Sequence, residues 1–288
     1  MNQPQFQPVS FSWVALHPQP RGIIQFIGGA FFGSFPTLFY RYLFQELYRE
    51  GYTLVALPFR FSLRHWQIAF SLLEEQHQLR QILPGLAERL GYDASLYRAV
   101  SSYQWLGHSL GCKYIALLEL LSGDEDMVAA ALPKHLVNRY CNSSGIWNQG
   151  SVLLAPDISD LESAIPIRTL VALLNRLHIS VRPGRQETLA LIRQSRLFNL
   201  TGLISFDRDT VAGSLSDHDV NVSDVLWLFQ YLQTKSAPIQ ELPGKHLEPL
   251  GWRISHYIAD FNPFDKFIKA LWQWQVADVA AKYLQRLH

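Results

Sequence analysis

Ser109, His246 and a choice of three carboxylates are the residues whose types and order suit nucleophilic chemistry. Ser109 lies in Gly107-His108-Ser109-Leu110-Gly111. An apolar run ending at Leu106 precedes it, and a helical pattern of Tyr114, Ile115, Leu117, Leu118, Leu120 and Leu121 follows. Gly-x-Ser-x-Gly at a strand-to-helix turn is a nucleophile elbow. The serine sits in a strained turn that pushes its hydroxyl out at the carboxyl end of the sheet. That turn brings backbone close on both sides, and Gly107 and Gly111 lack the Cβ atoms that would clash there. The amide of Leu110, at the helix start, is expected to point at a developing oxyanion.

A serine nucleophile needs an imidazole to take its proton. The imidazole needs an acid to hold its tautomer and offset its charge. Ser, then acid, then His, each after a strand, is the order this chemistry takes on a parallel sheet. His246 follows the short strand Ile239 to Leu242, after Pro243 and Gly244. Asp209, after the strand Leu200 to Phe206, is the expected acid. Asp207 competes with it, as does Asp157 after the strand Ser151 to Ala155. Asp207 also suits a turn cap or an ion pair with Arg208. Gly28-Gly29-Ala30 closes an earlier apolar strand, Gly22 to Ile27. Small residues there leave amides uncovered, so Gly29 or Ala30 is the expected second oxyanion donor.

The elements that must position these residues alternate. Phe11 to Leu16 reads as a strand near the sheet edge, and Thr53 to Leu57 as a buried one. Pro36 opens a helix running to about Arg49. Leu63 to Leu90 is helical and interrupted at Pro84. Ser122 to Gly150 reads as irregular, with Asp124-Glu125-Asp126 as a solvated loop. Ile158 to Phe198 breaks the strand-helix rhythm with two leucine-rich amphipathic pieces joined through Arg182-Pro183-Gly184. Residues 158–198 are therefore expected to form a helical cap over the carboxyl face, inserted in a single domain of residues 1–288. Val222 to Leu232 is a helix. The chain after His246 reads as mostly helical, with Phe264 to Leu287 closing the domain. Such alternation implies an α/β fold with a mostly parallel central sheet flanked by helices.

Composition sets the class. The 288 residues are 48% hydrophobic and 13% aromatic, enough for a sizeable core. A net charge of +1 gives no case for nucleic acid. Two cysteines, Cys112 and Cys141, make no disulfide framework and no metal-ligand spacing, so a reducing compartment and no metal are expected. The first residues lack the pattern of a signal peptide, and no apolar run suffices for a transmembrane segment. These features predict a cytoplasmic protein, or a stromal one if the source is a plant, with peripheral membrane contact left open.

The three loops Gly107-His108-Ser109-Leu110-Gly111, Ser205-Phe206-Asp207-Arg208-Asp209 and Leu242-Pro243-Gly244-Lys245-His246 resemble the signature loops of the α/β-hydrolase superfamily, over nearly the whole chain. Within it, Phe206-Asp207-Arg208-Asp209-Thr210 and Leu242-Pro243-Gly244-Lys245-His246-Leu247 are similar to the DUF1350 family of cyanobacteria and chloroplasts. The superfamily resemblance implies Ser109 as nucleophile, Asp209 as acid, His246 as base, and Leu110 with the Gly29-Ala30 turn as oxyanion donors. It implies no cofactor. Two positions depart: Ile27 stands where many lipases and esterases have His, and Ser205 where many members have Gly. The family's distribution implies a link to oxygenic photosynthesis and nothing chemical.

Two function classes follow. One is a serine hydrolase cleaving an ester or thioester, a small molecule made lipophilic by its acyl group, with Phe31, Phe32 and Phe35 beside the oxyanion turn. The other is a binding or assembly protein on the same scaffold. An intact Ser, Asp and His argue for the enzyme, and a serine elbow argues against relatives with a carboxylate nucleophile.

Overall fold

The computed structural model describes residues 3–137, 145–158, 181–195, 198, 200–260, 268–271 and 274–287. Its centre is an eight-stranded sheet in the order β1-β2-β4-β3-β5-β6-β7-β8. The strands are β1 (Gln7–Val9), β2 (Ser12–Ala15), β3 (Gly22–Ile27), β4 (Tyr52–Ala56), β5 (Tyr103–His108), β6 (Ser151–Leu154), β7 (Thr201–Phe206) and β8 (Ile239–Leu242). From β4 to β8 every pairing is parallel, and β2 joins β4 antiparallel. The strand expected over Phe11 to Leu16 is thus the second arm of a hairpin, and β1 forms the sheet edge.

The helices are α1 (Pro36–Phe39), α2 (Arg41–Arg49), α3 (His65–Arg89), α4 (Ser95–Arg98), α5 (Leu110–Leu120), α6 (Glu125–Ala131), α7 (Lys134–Val137), α8 (Arg185–Gln194), α9 (Asp224–Gln233) and α10 (Val276–Arg286). They cover both faces. Alternate strand residues feed two cores, as a doubly covered sheet requires. Ile23, Tyr103, Trp105, Leu153 and Leu203 pack with α3, α5, α8 and α9. Ile24, Phe26, Leu106, Val152 and Ile204 pack with α2 and α10.

The structure corrects four expectations. The helix expected from Pro36 to Arg49 is two helices broken at Tyr40. Helix α3 runs through Pro84 without interruption. The acidic residues 124–126 open α6, where Asp124 is the N-cap residue and Glu125 and Asp126 favour the positive end of the helix dipole. The chain after His246 forms a small antiparallel sheet, β9 (Trp252–Ile254), β10 (Tyr257–Ala259) and β11 (Ile268–Ala270), ahead of α10.

Of the cap expected over 158–198, residues 159–180, 196 and 197 lie outside the described residues. Its described helix, α8, lies beside α5 and buries Leu189 and Ile192 in the core. Arg185 clamps it to α9 through Asp224 at 2.6 Å. Arg182, just ahead of it, bridges to Arg64 in the loop after β4.

Candidate active site

The parallel strands bring their carboxyl ends to one edge, and every residue singled out in the sequence lies there. Ser109 follows β5, Asp157 follows β6, Asp207 and Asp209 follow β7, and His246 follows β8. The Gly28-Gly29-Ala30 turn follows β3, which pairs with β5 so that Ile27 stands beside Gly107.

The backbone forces the serine outward. Ser109 has φ 55° and ψ −124°, a conformation an L-residue enters only under strain. Its neighbours explain the motif's glycines. A Cβ at Gly111 would lie 2.1 Å from the Ile27 carbonyl oxygen. One at Gly107 would lie 2.7 Å from Ile115 Cδ1 and 3.0 Å from the Cys112 amide nitrogen. The first turn of α5 is thereby wedged between β3 and β5.

Three side chains meet in a line. Ser109 Oγ and His246 Nε2 are 2.8 Å apart. His246 Nδ1 and Asp209 Oδ2 are also 2.8 Å apart. Asp209 Oδ1 accepts the N–H groups of Val211 and Ala212 at 2.8 and 3.0 Å. An ionised carboxylate only accepts, which assigns the proton to His246 Nδ1 and leaves the Nε2 lone pair for the serine hydroxyl. All three residues are buried. Burial keeps water from screening the interactions among them.

The other two acids take different places. Asp207 Oδ1 accepts the Gly244 N–H at 2.8 Å and the Arg208 Nε–H at 3.3 Å. Asp157 is buried, and its own N–H donates to the Ser109 carbonyl oxygen at 3.3 Å. Asp209 holds the position on His246 Nδ1.

On the β3 side, a Cβ at Gly29 would lie 3.1 Å from Ser109 Cβ, so the glycine turn touches the serine. The Gly29 N–H donates to Tyr40 Oη at 2.8 Å. Among the described residues, none accepts from the amides of Ala30 and Leu110. Phe31 and Phe35, next along the chain, are 49% and 64% exposed, and Phe31 stacks on Phe61 at 4.9 Å. No three His, Cys, Asp or Glu side chains among the described residues are grouped as metal ligands.

Two buried residues of the site have no counterpart in the sequence reading. His108, inside the pentapeptide, bonds the His246 carbonyl oxygen through Nε2 at 2.8 Å. Its Nδ1 lies 2.8 Å from Tyr40 Oη. Tyr40 comes from the break between α1 and α2. A histidine following an apolar strand was the available signal for His108; none marked Tyr40.

The profile of a family described as "Protein of unknown function (DUF1350)" matches residues 5–288. No curated protein matches the sequence. Among solved structures, the carboxylesterase Cest-2923 of Lactobacillus plantarum WCFS1 superimposes with a TM-score of 0.58 at 11% identity, over 99% of this chain and 98% of its own. Esterase 2 of Thermogutta terrifontis, solved phosphonylated by sarin, gives 0.50 at 13% identity, over 96% and 89%. MGS-M1, an α/β hydrolase from a Medee basin deep-sea metagenome library, gives 0.50 at 12% identity, over 100% and 99%. The fold is that of the α/β hydrolases.

Proposed function

The chain belongs to the DUF1350 family, and on its α/β-hydrolase fold we propose a serine hydrolase that cleaves an ester or thioester of a lipophilic acyl substrate. One observation carries the reading: a strained, outward-pushed Ser109 hydroxyl lies 2.8 Å from an imidazole that is itself held by a carboxylate at 2.8 Å. An ordinary helix-capping serine needs neither the strain nor the line of partners.

In this reading Ser109 Oγ attacks the acyl carbonyl carbon while its proton passes to His246 Nε2. The carbonyl oxygen becomes an oxyanion, received by the Leu110 and Ala30 amides. The Gly29 amide, engaged by Tyr40, takes no part. Asp209 stabilises the imidazolium. Collapse of the tetrahedral species breaks the bond to the leaving oxygen or sulfur, which takes the proton from His246. Water then enters; His246 accepts one of its protons, and the hydroxide displaces Oγ, which recovers the proton as the acid product leaves. The exposed Phe31 and Phe35 beside the turn support an apolar substrate over a charged one.

The test is labelling with a fluorophosphonate probe, followed by an ester and thioester panel, on wild type and Ser109→Ala in parallel. The expected result is labelling and hydrolysis in the wild type and neither in the variant. An unlabelled wild type that hydrolyses nothing would leave the scaffold as a binding protein.

A further inference from the structure

Two networks leave His246. One is the line to Ser109 and Asp209. The other starts at its main-chain carbonyl and runs away from the solvent, through His108 and Tyr40 to the glycine turn. The chemistry of its ends fixes its protons. A carbonyl oxygen only accepts, so His108 Nε2 carries the hydrogen in the 2.8 Å bond to His246. His108 Nδ1 is then an acceptor, and the Tyr40 hydroxyl donates to it at 2.8 Å. The tyrosine oxygen in turn accepts the Gly29 N–H at 2.8 Å. With the ring neutral, no other arrangement of the protons satisfies all three bonds.

Packing keeps the arrangement single. Tyr40 and His108 are fully buried. The Tyr40 ring sits edge-on to His108 at 5.6 Å and to Phe26 at 4.6 Å. Burial, with His246 close by, pushes His108 down to about 3, which keeps its ring neutral. Burial also raises the Tyr40 hydroxyl far above its ordinary value, so it remains a donor. A Cβ at Gly28 would lie 2.8 Å from the tyrosine ring, so the turn lies directly against it.

We propose that Tyr40 and His108 are positioning residues: a proton-ordered relay that holds the His246 main chain and the Gly29-Ala30 turn at fixed places on either side of Ser109. The relay rests on the serine-hydrolase reading for its consequence in turnover, but not for its existence. It spans two parts of the site, the base loop after β8 and the oxyanion turn after β3. By holding the Gly29 amide, Tyr40 leaves the next amide, that of Ala30, as the uncommitted donor of the turn.

The experiment has an arm that needs no activity. In full-length protein with isotope-labelled histidine, heteronuclear NMR of the imidazole nitrogens reads the His108 tautomer. The expected result is a neutral ring with the hydrogen on Nε2 from mildly acidic to mildly alkaline pH. A hydrogen on Nδ1, or a charged ring in that range, overturns the relay whether or not the protein is a hydrolase. The second arm is kinetic. Tyr40→Phe is expected to lower kcat about 10- to 100-fold with KM held within about twofold, the pattern of misplaced groups rather than lost binding. His108→Gln keeps a donor for the His246 carbonyl but loses the tyrosine, whereas His108→Asn keeps the tyrosine and loses the carbonyl. Both are neutral amides, and thermal melts of the pair separate the larger void left by the shorter Asn from an effect on rate. Positioning predicts that the Gln variant keeps the higher kcat. Equal rates in the pair, or a Tyr40→Phe kcat within about twofold of wild type, would overturn the relay. If Ser109→Ala still hydrolyses substrate, the serine reading falls, and the tautomer measurement still decides the relay.

Discussion

Asp207 Oδ1 accepts the Gly244 N–H at 2.8 Å, two residues ahead of His246. The same two loops exchange main-chain bonds: Asp207 N–H to the Leu242 oxygen and Arg208 N–H to the Gly244 oxygen, both at 3.0 Å. Asp207 thus stitches the loop carrying Asp209 to the loop carrying His246. Asp207→Ala should lower kcat by about 10-fold through misplacement and cost about 1 kcal/mol for the lost bond. Asp209→Asn should lower kcat by about 10³- to 10⁴-fold, because the amide can present a donor to His246 Nδ1 and so select the other tautomer. Steady-state kinetics on both variants check the order; a larger loss at Asp207 would reverse their roles.

The elbow separates function from stability. Ser109 at φ 55° is strained, and Ser109→Gly should raise stability by about 1 kcal/mol while removing the hydroxyl. Gly111→Ala should do the opposite. Its Cβ would stand 2.1 Å from a main-chain oxygen of β3, which cannot move aside without parting the sheet. We expect a loss above about 4 kcal/mol, or no soluble protein. Denaturant unfolding measures both, and wild-type stability in Gly111→Ala would contradict the tight packing of α5 on β3.

Glu119 gives the fold an alkaline weakness. It is buried on α5, and burial raises its carboxyl from 4.5 to about 8. Between those values the native state holds a proton that the unfolded chain has released. Stability from this group therefore falls as pH rises from 4.5 towards 8 and is level above that. Glu119→Gln lacks the ionisation. Its stability relative to wild type should grow across that window by a few kcal/mol and match wild type at the acid end. Unfolding free energies at the two ends of the window decide it; a constant difference would mean that Glu119 ionises freely in the folded protein.

Lys269 joins the small sheet to the His246 loop. Its Nζ lies 2.6 Å from Glu248 Oε2 and 3.2 Å from Asp260 Oδ2, and both acids are buried. Glu248 follows His246 by two residues, and its carbonyl oxygen takes the Trp274 indole N–H at 2.9 Å. Lys269→Met takes the shared cation from two buried carboxylates, at a cost of about 3–5 kcal/mol. Hydrogen exchange should quicken in β9 to β11 and around residue 246, with β3 to β6 unchanged. Uniform exchange across the molecule would show that the ion cluster is not local in effect.

The main lines of this fold are legible because its central strands are short apolar runs closed by Gly, Pro or Asp. A doubly covered parallel sheet leaves that mark. Ser109, Asp209 and His246 could be picked out because each stands just beyond such a run. What escaped has physical reasons. The strands of the small sheet are only three residues long, too short for a period to register. In α3, Pro84 loses one helical bond and costs about 3 kcal/mol, while burial of Leu79, Leu83 and Ala87 on the same helix outweighs it. Tyr40 and His108 are 68 residues apart, and no local pattern encodes their meeting.

The sheet order also sets when the protein becomes competent. Among the described residues strand β8 is an edge strand paired with β7, and it delivers His246 to a serine 137 residues away in the chain. A contact of such sequence separation forms only after the intervening loops have closed. In refolding, helical signal and core burial can return while His246 is still apart from Ser109. On the serine-hydrolase reading, recovered turnover times the docking of the last strand, and loosening of that edge would silence the protein before it unfolded the centre.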